Sequence, residues 1–279
     1  YTTLFRSSGD ISQSDQANIL ANEKPTIIYH LASIVSGEAE EKFNKGWNTN
    51  TRGTWRLLEK LRELTETSQG EYKPKIIFTS SIAVFGSPFP DKIGDEFLCA
   101  PQTSYGAQKA ITEMLISDYS RKEFIDGVSI RLPTICVRPG KPNLAASGFF
   151  SGIIREPLNN MEAILPVSDQ VRHWHASPRS AIHFLIHAGN LDLKILGGRR
   201  SLNMPGVSCT VEEQIEALRK VAGNEVVAKI KHKTDPKITK IVNGWPRNFD
   251  PARATALGFK SENSFEEIIK VYLSDDFEK

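Results

Sequence analysis

Phe78 to Lys109 reads FTSSIAVFGSPFPDKIGDEFLCAPQTSYGAQK, and the other 247 of the chain's 279 residues are best read outward from it. Lys75-Ile76-Ile77-Phe78 is a short apolar run with the length of a buried strand, and Ser80 and Ser81 follow at its C-terminal end. A loop broken by Pro and Gly leads to a helix predicted over Thr103 to Lys122, whose first turns carry Tyr105 and Lys109. The i,i+4 spacing puts the phenol and the ammonium on one helix face, about one turn apart. Ligands of an open α/β sheet bind beyond the carboxyl ends of its strands. A hydroxyl, a phenol and a cation are therefore expected together where such a fold keeps its ligand.

That set suits proton and hydride chemistry at a secondary alcohol. A free phenol is a poor base at neutral pH because its pKa is about 10. A nearby ammonium favours the phenolate and lowers that value, and the phenolate can then take the alcohol proton. A serine hydroxyl can hold the oxygen that interconverts between alcohol and carbonyl. The hydride needs a cofactor. Tyr-x-x-x-Lys by itself is a weak motif. It gains weight from its setting, a strand ending in Ser80-Ser81, then Val84-Phe85-Gly86, then the helix. The competing reading is a solvated helix face that happens to hold Tyr and Lys.

These residues resemble the extended short-chain dehydrogenase/reductase family, which includes nucleotide-sugar epimerases and dehydratases. The likeness runs from Thr2 to Tyr272. It is carried by His30-Leu31-Ala32-Ser33, Asn50-x-x-Gly53-Thr54, Ser80-Ser81-x-x-Val84-Phe85-Gly86, Tyr105-x-x-x-Lys109 and Arg172-x-x-His175. The segments IVSGEAE (34–40), TSSIAVFG (79–86), LPTICVRPGKPN (132–143), GFFSGIIREPL (148–158) and VRHWHASPRSA (171–181) resemble a branch that oxidises small sugar acids. The implied fold is α/β, a Rossmann-type doubly wound parallel sheet with a smaller C-terminal α/β substrate domain. Residues 1–138 would form the dinucleotide-binding domain, with 177–206 returning to it, and 139–176 with 207–279 the substrate domain.

The resemblance implies oxidation of the C2 hydroxyl of a small sugar acid, with NAD as cofactor. Tyr105 would be the base, Lys109 its tuner and ribose anchor, and Ser81 the group that holds the reacting oxygen, with Ser80 as the alternative. The implied cofactor contacts are Asp10, Ile11, Leu31, Ala32, Ser33, Asn50, Ser80, Tyr105, Lys109, Pro133 and Ile135. The implied substrate contacts are Ser36, Ser81, Tyr105, Asn143 and Arg172. An arginine can grip a carboxylate with two parallel bonds. Arg172 is the first choice for that role, with Arg155 or Lys141 in reserve and a structural ion pair as its competing reading. Nucleotide-sugar members carry Phe-Asn-Val where this chain has Pro133-Thr134-Ile135, which favours a smaller substrate. A nucleotide-sugar epimerase and a non-catalytic NAD(P)-binding sensor are the rival functions.

The start is abnormal for that family. Tyr1-Thr2-Thr3-Leu4-Phe5 alternates like a strand and runs into Ser8-Gly9-Asp10-Ile11. A first strand and a Gly-rich turn that meets the pyrophosphate should come earlier, and these 279 residues contain no such turn. On the family layout about 50 to 65 residues are expected ahead of Tyr1, with a truncated protein as the alternative.

The remaining expectations are local. Ser14–Asn22 reads as a helix and Thr26–Tyr29 as a buried strand. His30 suits backbone ordering more than catalysis. Ser36 is either a substrate contact or a helix cap. Glu38–Thr67 reads as one bent helix, with Trp47, Thr51, Trp55, Leu58 and Leu61 at helical spacing. In the predicted helix Thr103–Lys122 the apolar stripe is Ala107, Ile111, Met114 and Leu115. This helix and Glu38–Thr67 are the surfaces through which relatives dimerise, so a homodimer is expected. Gly127–Leu132, Arg200–Met204 and Val226–Lys231 read as strands. Gly148–Pro157, Ser177–Asn190, Val211–Ala222, Pro251–Leu257 and Phe265–Leu273 read as helices.

A net charge of +2 points to neither a nucleic-acid nor a membrane surface. Cys99, Cys136 and Cys209 are widely spaced, form no metal pattern and read as packing groups of a reducing compartment. His173-x-His175 and His183-x-x-x-His187 have no carboxylate or thiol to complete a site, so no metal is expected. No apolar run reaches the roughly 18 residues of a membrane helix. The expected location is cytoplasmic.

Overall fold

The computed structural model describes residues 8–140 and 146–277. The expected strand at Tyr1–Phe5, Lys141 and Asn143 lie outside the described residues. A four-stranded parallel sheet forms the centre, in the order β1 (Ile27–His30), β2 (Lys75–Ser81), β3 (Asp126–Leu132) and β7 (Ser201–Asn203). Alternation along β2 explains the layers, since successive side chains of a strand face opposite ways. Ile76 and Phe78 pack against Leu57, Leu58 and Leu61 of α4 (Thr54–Thr67), Ala17 and Ala21 of α1 (Gln16–Asn22) and Ile116 of α5 (Ser104–Arg121). Ile77 faces the other side, with Phe184 and Ala188 of α7 (Pro178–Asn190) and Phe259. Helices thus cover both faces, as a continuous Ile-Ile-Phe strand requires. Each of the buried Leu, Ile and Phe side chains contributes roughly 1.5–3 kcal/mol by leaving water.

A second core gathers Phe150, Ile153 and Ile154 of α6 (Gly148–Leu158) with Val211 and Leu218 of α8 (Val211–Ala222) and Ile268 and Ile269 of α12 (Phe265–Asp275). Beside it, β6 (Arg172–Ala176) pairs in parallel with β4 (Thr134–Ile135) and antiparallel with β8 (Val207–Thr210). A small parallel pair, β5 (Ala163–Leu165) with β9 (Ile230–His232), lies near α9 (Asn224–Val227). The short helices α10 (Pro236–Asn243) and α11 (Ala252–Ala256) precede the closing helix. Gly258 (φ +91) follows α11 in the left-handed region that a helix-ending glycine commonly takes. No described helix is long and apolar enough to cross a membrane.

Four expectations change. Residues 38–67 are not one bent helix. α2 (Ser36–Glu41) ends at Lys42, whose φ −118 and ψ 66 leave the helical region, and α3 (Phe43–Gly46) follows. A π-helical stretch, Trp47–Gly53, then runs into α4. Ser80 and Ser81 belong to β2 rather than following it, and pair in register with Arg131 and Leu132. The apolar stripe of α5 is not its buried face: Met114 is 66% exposed, Ala107, Ile111 and Leu115 are half-buried, and Gln108, Lys109, Thr112 and Glu113 are buried. Each of these four side chains has at least one hydrogen-bond partner within the fold, and that reverses the hydropathy pattern. Val226–Lys231 is not a strand. Its first part is α9, and only Ile230–His232 pair as β9.

Candidate active site

Three elements carry the reactive side chains to the C-terminal ends of β1, β2 and β3. β2 delivers Thr79, Ser80 and Ser81. A 3-10 turn, Ile82–Val84, follows at once, with Ser81 Oγ accepting the Ala83 N–H at 3.1 Å. α5 begins against that turn. A Cβ on Gly106 would stand 2.1 Å from the Ala83 carbonyl oxygen, so only glycine allows this approach. The Thr103 hydroxyl caps α5 by accepting from Gly106 N at 3.1 Å, and Glu40 of α2 accepts from Ser104 N at 2.9 Å. Tyr105 and Lys109 are thereby fixed on the face turned to β2.

These residues line a cavity of about 480 Å³. Its wall includes Leu31, Ser33, Ser36, Ser80, Ser81, Tyr105, Lys109, Pro133 and Ile135, all expected site residues. It also includes Thr134, Arg138, His173, Trp245 and Pro246, to which the sequence reading gave no ligand role. The break at Lys42 lets α2 lie along this wall, where Val35, Ser36, Gly37 and Glu40 contribute.

The hydroxyl protons are distributed unequally. Ser80 donates to Glu113, whose carboxylate also receives Arg131 Nη2 at 2.7 Å, so its proton is committed. Ser81 Oγ accepts from Ala83 N, and among the described residues no carboxylate or imidazole claims its proton, which is left for the Tyr105 phenol or a ligand oxygen. The Ser81 and Ser33 hydroxyls lie beside the Tyr105 phenol and favour its ionised form. Burial pushes that phenol up to about 12, while the two serines pull it back down. Lys109 Nζ donates to the Thr79 carbonyl at 2.7 Å, lies 4.6 Å from the Phe78 ring centroid and 5.6 Å from that of Tyr105. Burial brings its ammonium down to about 7, with Glu113 acting in the opposite direction. The ammonium is bonded to the Thr79 carbonyl rather than to the phenol.

Asn50 holds the neighbouring backbone. It sits in the π-helical stretch, a feature frequent at functional sites. Its Oδ1 accepts from Ile34 N at 2.7 Å and from Ser33 Oγ at 3.0 Å, and its Nδ2 donates to Ile34 O at 3.1 Å and Gln108 Oε1 at 2.7 Å. All its polar capacity goes to protein, so it acts through Ser33 rather than on a ligand. Buried His30 has Nε2 at 2.7 Å from Thr54 Oγ1, which itself donates to Asn50 O at 3.0 Å. Burial holds His30 down at about 4, so the ring is neutral and structural.

Asp10, Ile11 and Ala32 lie outside the cavity lining. Asp10 accepts from Ser12 N at 2.9 Å, and that bond holds its carboxyl below the usual range. The Ile11 carbonyl lies so near Gly53 that a Cβ there would meet it at 2.6 Å. Ser36 is the first residue of α2, but Val35 is the cap position and no side chain caps it, so the capping role is not observed.

Arg172 points away from the cavity. Its guanidinium donates to Ser208 O at 3.1 Å and pairs with Glu213 at 3.2 Å. β6 alternates, so the strand that turns His173 to the cavity turns Arg172 to the opposite side. Arg155 is buried with Arg138 O and Glu156. Arg138 supplies the cationic side chain instead. It lines the cavity, and among the described residues no carboxylate pairs with it. The signal available for Arg138 was its place five residues past Pro133, on the connection that leaves β4. Among the described residues no group of three or more His, Cys, Asp or Glu is placed to hold a metal.

A family model described as NAD-dependent epimerase/dehydratase matches residues 4–177. D-erythronate dehydrogenase of Cupriavidus necator is 44% identical over 268 residues, covering 96% of this chain and 81% of the relative. The Haemophilus influenzae protein of the same name is 42% identical over 257 residues, covering 92% and 80%. The crystal structure of the nucleoside-diphosphate-sugar epimerase from Agrobacterium tumefaciens superposes with a TM-score of 0.93 at 54% identity, covering 99% and 81%. L-threonine 3-dehydrogenase from Trypanosoma brucei shares the fold, with a TM-score of 0.84 at 24% identity over 96% of this chain and 81% of that one.

Proposed function

The chain belongs to the NAD-dependent epimerase/dehydratase family and is a nicotinamide-dependent dehydrogenase within it, and on that premise we propose that it oxidises the C2 hydroxyl of D-erythronate to the 2-oxo acid with NAD. The carrying observation is that Ser81, Tyr105 and Lys109 share one cavity with a cation, Arg138, that lacks a carboxylate partner among the described residues. The donor set fits a nicotinamide riboside. Lys109 spends one of three N–H groups on Thr79 and keeps the others for ribose hydroxyls, and Pro133 and Ile135 give the ring an apolar wall.

When bound, the cofactor accepts the hydride from C2. The protein handles the proton and the charge. Ser81 donates its uncommitted proton to the C2 oxygen and keeps the developing carbonyl in place. Tyr105 Oη takes the hydroxyl proton. Lys109 places positive charge beside the phenol, supporting its ionised form once ligand hydroxyls have joined Thr79 in solvating the ammonium. Arg138 grips the substrate carboxylate, and Ser36 is in position for a further hydroxyl.

We extend the proposal to assembly and location. α4 exposes Trp55 (47%) and α5 exposes Met114, apolar groups suited to a homodimer interface, in a cytoplasmic enzyme. Sedimentation checks the dimer. The activity test offers four- to six-carbon aldonates with NAD or NADP to the purified protein, with UDP-sugars alongside. Reduction of NAD by D-erythronate supports the reading. Isomerised UDP-sugar with no net cofactor reduction would overturn it in favour of an epimerase, the name borne by the 54% identical Agrobacterium tumefaciens protein.

A further inference from the structure

One side of the cavity plays no part in the chemistry above. β3 ends at Leu132, in register with Ser81, and Thr134 follows two residues on. Thr134 Oγ1 lies 2.7 Å from His173 Nε2, and His173 Nδ1 lies 2.8 Å from the Pro246 carbonyl oxygen. Both Thr134 and His173 line the cavity.

Proton counting fixes the direction of these bonds. A carbonyl oxygen only accepts, so the ring proton of His173 is on Nδ1. The ring is neutral. It is 2% exposed, stacked on Phe150 at 5.2 Å and 7°, and packed against Trp245 at 5.2 Å. Burial holds it down at about 4, partly opposed by the bond to Pro246. In this tautomer Nε2 carries a lone pair, so the Thr134 hydroxyl must donate to it. The proton of Thr134 is then spent, and what the oxygen can still offer is a lone pair.

The geometry assigns Thr134, held by His173, as an obligate hydrogen-bond acceptor that reads a hydroxyl on the carbon next to the reacting one. This rests on the sugar-acid reading and sharpens it. An acceptor-only oxygen repels carboxylate and phosphate oxygens and leaves the carboxylate to Arg138. A site built to bond a hydroxyl rejects the analogue that lacks it. The preferred substrates are therefore polyhydroxy acids rather than plain 2-hydroxy acids or diphosphate-bearing ligands.

The test compares D-erythronate with its 3-deoxy counterpart, 2,4-dihydroxybutanoate, in the wild type, Thr134→Val and Thr134→Ser, each with saturating NAD. The wild type should favour the 3-hydroxy acid by roughly tenfold or more in kcat/KM, the value of one satisfied hydrogen bond. Thr134→Val should lose roughly tenfold on D-erythronate and less than about threefold on the deoxy acid, and Thr134→Ser should restore the preference. The KM for NAD should stay level across the three proteins. Equal losses on both acids would reduce Thr134 to a structural role and overturn the inference. A rise in the KM for NAD that tracks the loss would assign the oxygen to the cofactor's carboxamide and overturn it too. If the wild type turns over neither acid, the sugar-acid reading falls first and takes the inference with it.

Discussion

Replacing Lys109 with methionine should make the protein more stable while abolishing its activity. The lysine is 2% exposed and has one hydrogen bond, to the Thr79 carbonyl. Burial holds its folded pKa at about 7, against 10.5 for a free lysine. Between those values the unfolded chain binds a proton that the folded chain has released, so stability rises with pH across that window. Below about pH 7 both states carry the proton, and the folded state bears the full desolvation cost. At about 1.4 kcal/mol per pKa unit that cost is roughly 5 kcal/mol. Methionine of similar length removes it and forfeits a hydrogen bond worth roughly 1–2 kcal/mol, for a net gain of about 3 kcal/mol at pH 6. At roughly 2 °C per kcal/mol for a chain of this size, Tm should rise on the order of 5 °C. The gain should shrink by about 1.4 kcal/mol per pH unit above about pH 7, vanish near about pH 9 and reverse beyond it. Thermal denaturation of both proteins at pH 6, 8 and 9.5 measures it. A variant no more stable than wild type at pH 6, or a gap that does not narrow with pH, would refute the reasoning.

Three further outcomes follow from the same geometry. Tyr105→Phe should keep Tm within a few degrees and lower kcat by about 10²–10⁴, the usual worth of a positioned base; turnover close to wild type would remove Tyr105 from the chemistry. Arg138→Gln should raise KM for the acid by roughly tenfold to a hundredfold, as loss of a charge-assisted bond implies, with little change in the KM for NAD. Equal effects on both KM values would point to a general distortion. Gly106→Ala places a methyl 2.1 Å from the Ala83 carbonyl. The start of α5 must then move away from β2. Crystallography or circular dichroism should show a folded protein, while kcat falls well over tenfold because small misplacements of reacting groups are costly.

How much of this could be read from the sequence depends on how local each signal is. The β2–α5 pairing was legible because a continuous apolar strand, a Ser-Ser end and a Tyr-x-x-x-Lys helix start are short-range features. The doubly wound sheet follows from the same run, since Ile76, Ile77 and Phe78 must be covered on both faces. The break at Lys42 was hidden because GEAEEKFNKG holds no proline and nothing at Lys42 itself opposes a helix; contacts of α2 with α5 accompany it, including the Glu40 bond to Ser104 N. Hydropathy also misplaced the inner face of α5. The polar residues Lys109, Thr112 and Glu113 are buried through partners on β2, β3 and the Asn50 turn, tens of residues away. Arg172 was chosen by residue type, whereas strand alternation decides its direction, and one position of register sends His173 to the cavity in its place.

The site can be understood as an allocation of protons among neighbouring hydroxyls. Three of them lie at the ends of β2 and β3, and residue type does not tell them apart. The fold does. Ser80 is bound to a carboxylate that is already anchored by Arg131, so it can only hold the strand end and α5 together. Thr134 is bound to a neutral imidazole, so towards the cavity it can only accept. Ser81 accepts an N–H from its own turn and is bound to neither a carboxylate nor an imidazole, so of the three it keeps a proton for the Tyr105 phenol or, with a substrate in place, for a ligand oxygen. A donor at the reacting oxygen and an acceptor one carbon away form an asymmetric pair. A hydroxy acid bound by that pair has one orientation available, with Arg138 left for its carboxylate. Exchanging the donor and acceptor positions would require moving Glu113 or His173, residues that need not touch the substrate. The polarity of the cavity is thus set one layer behind its surface.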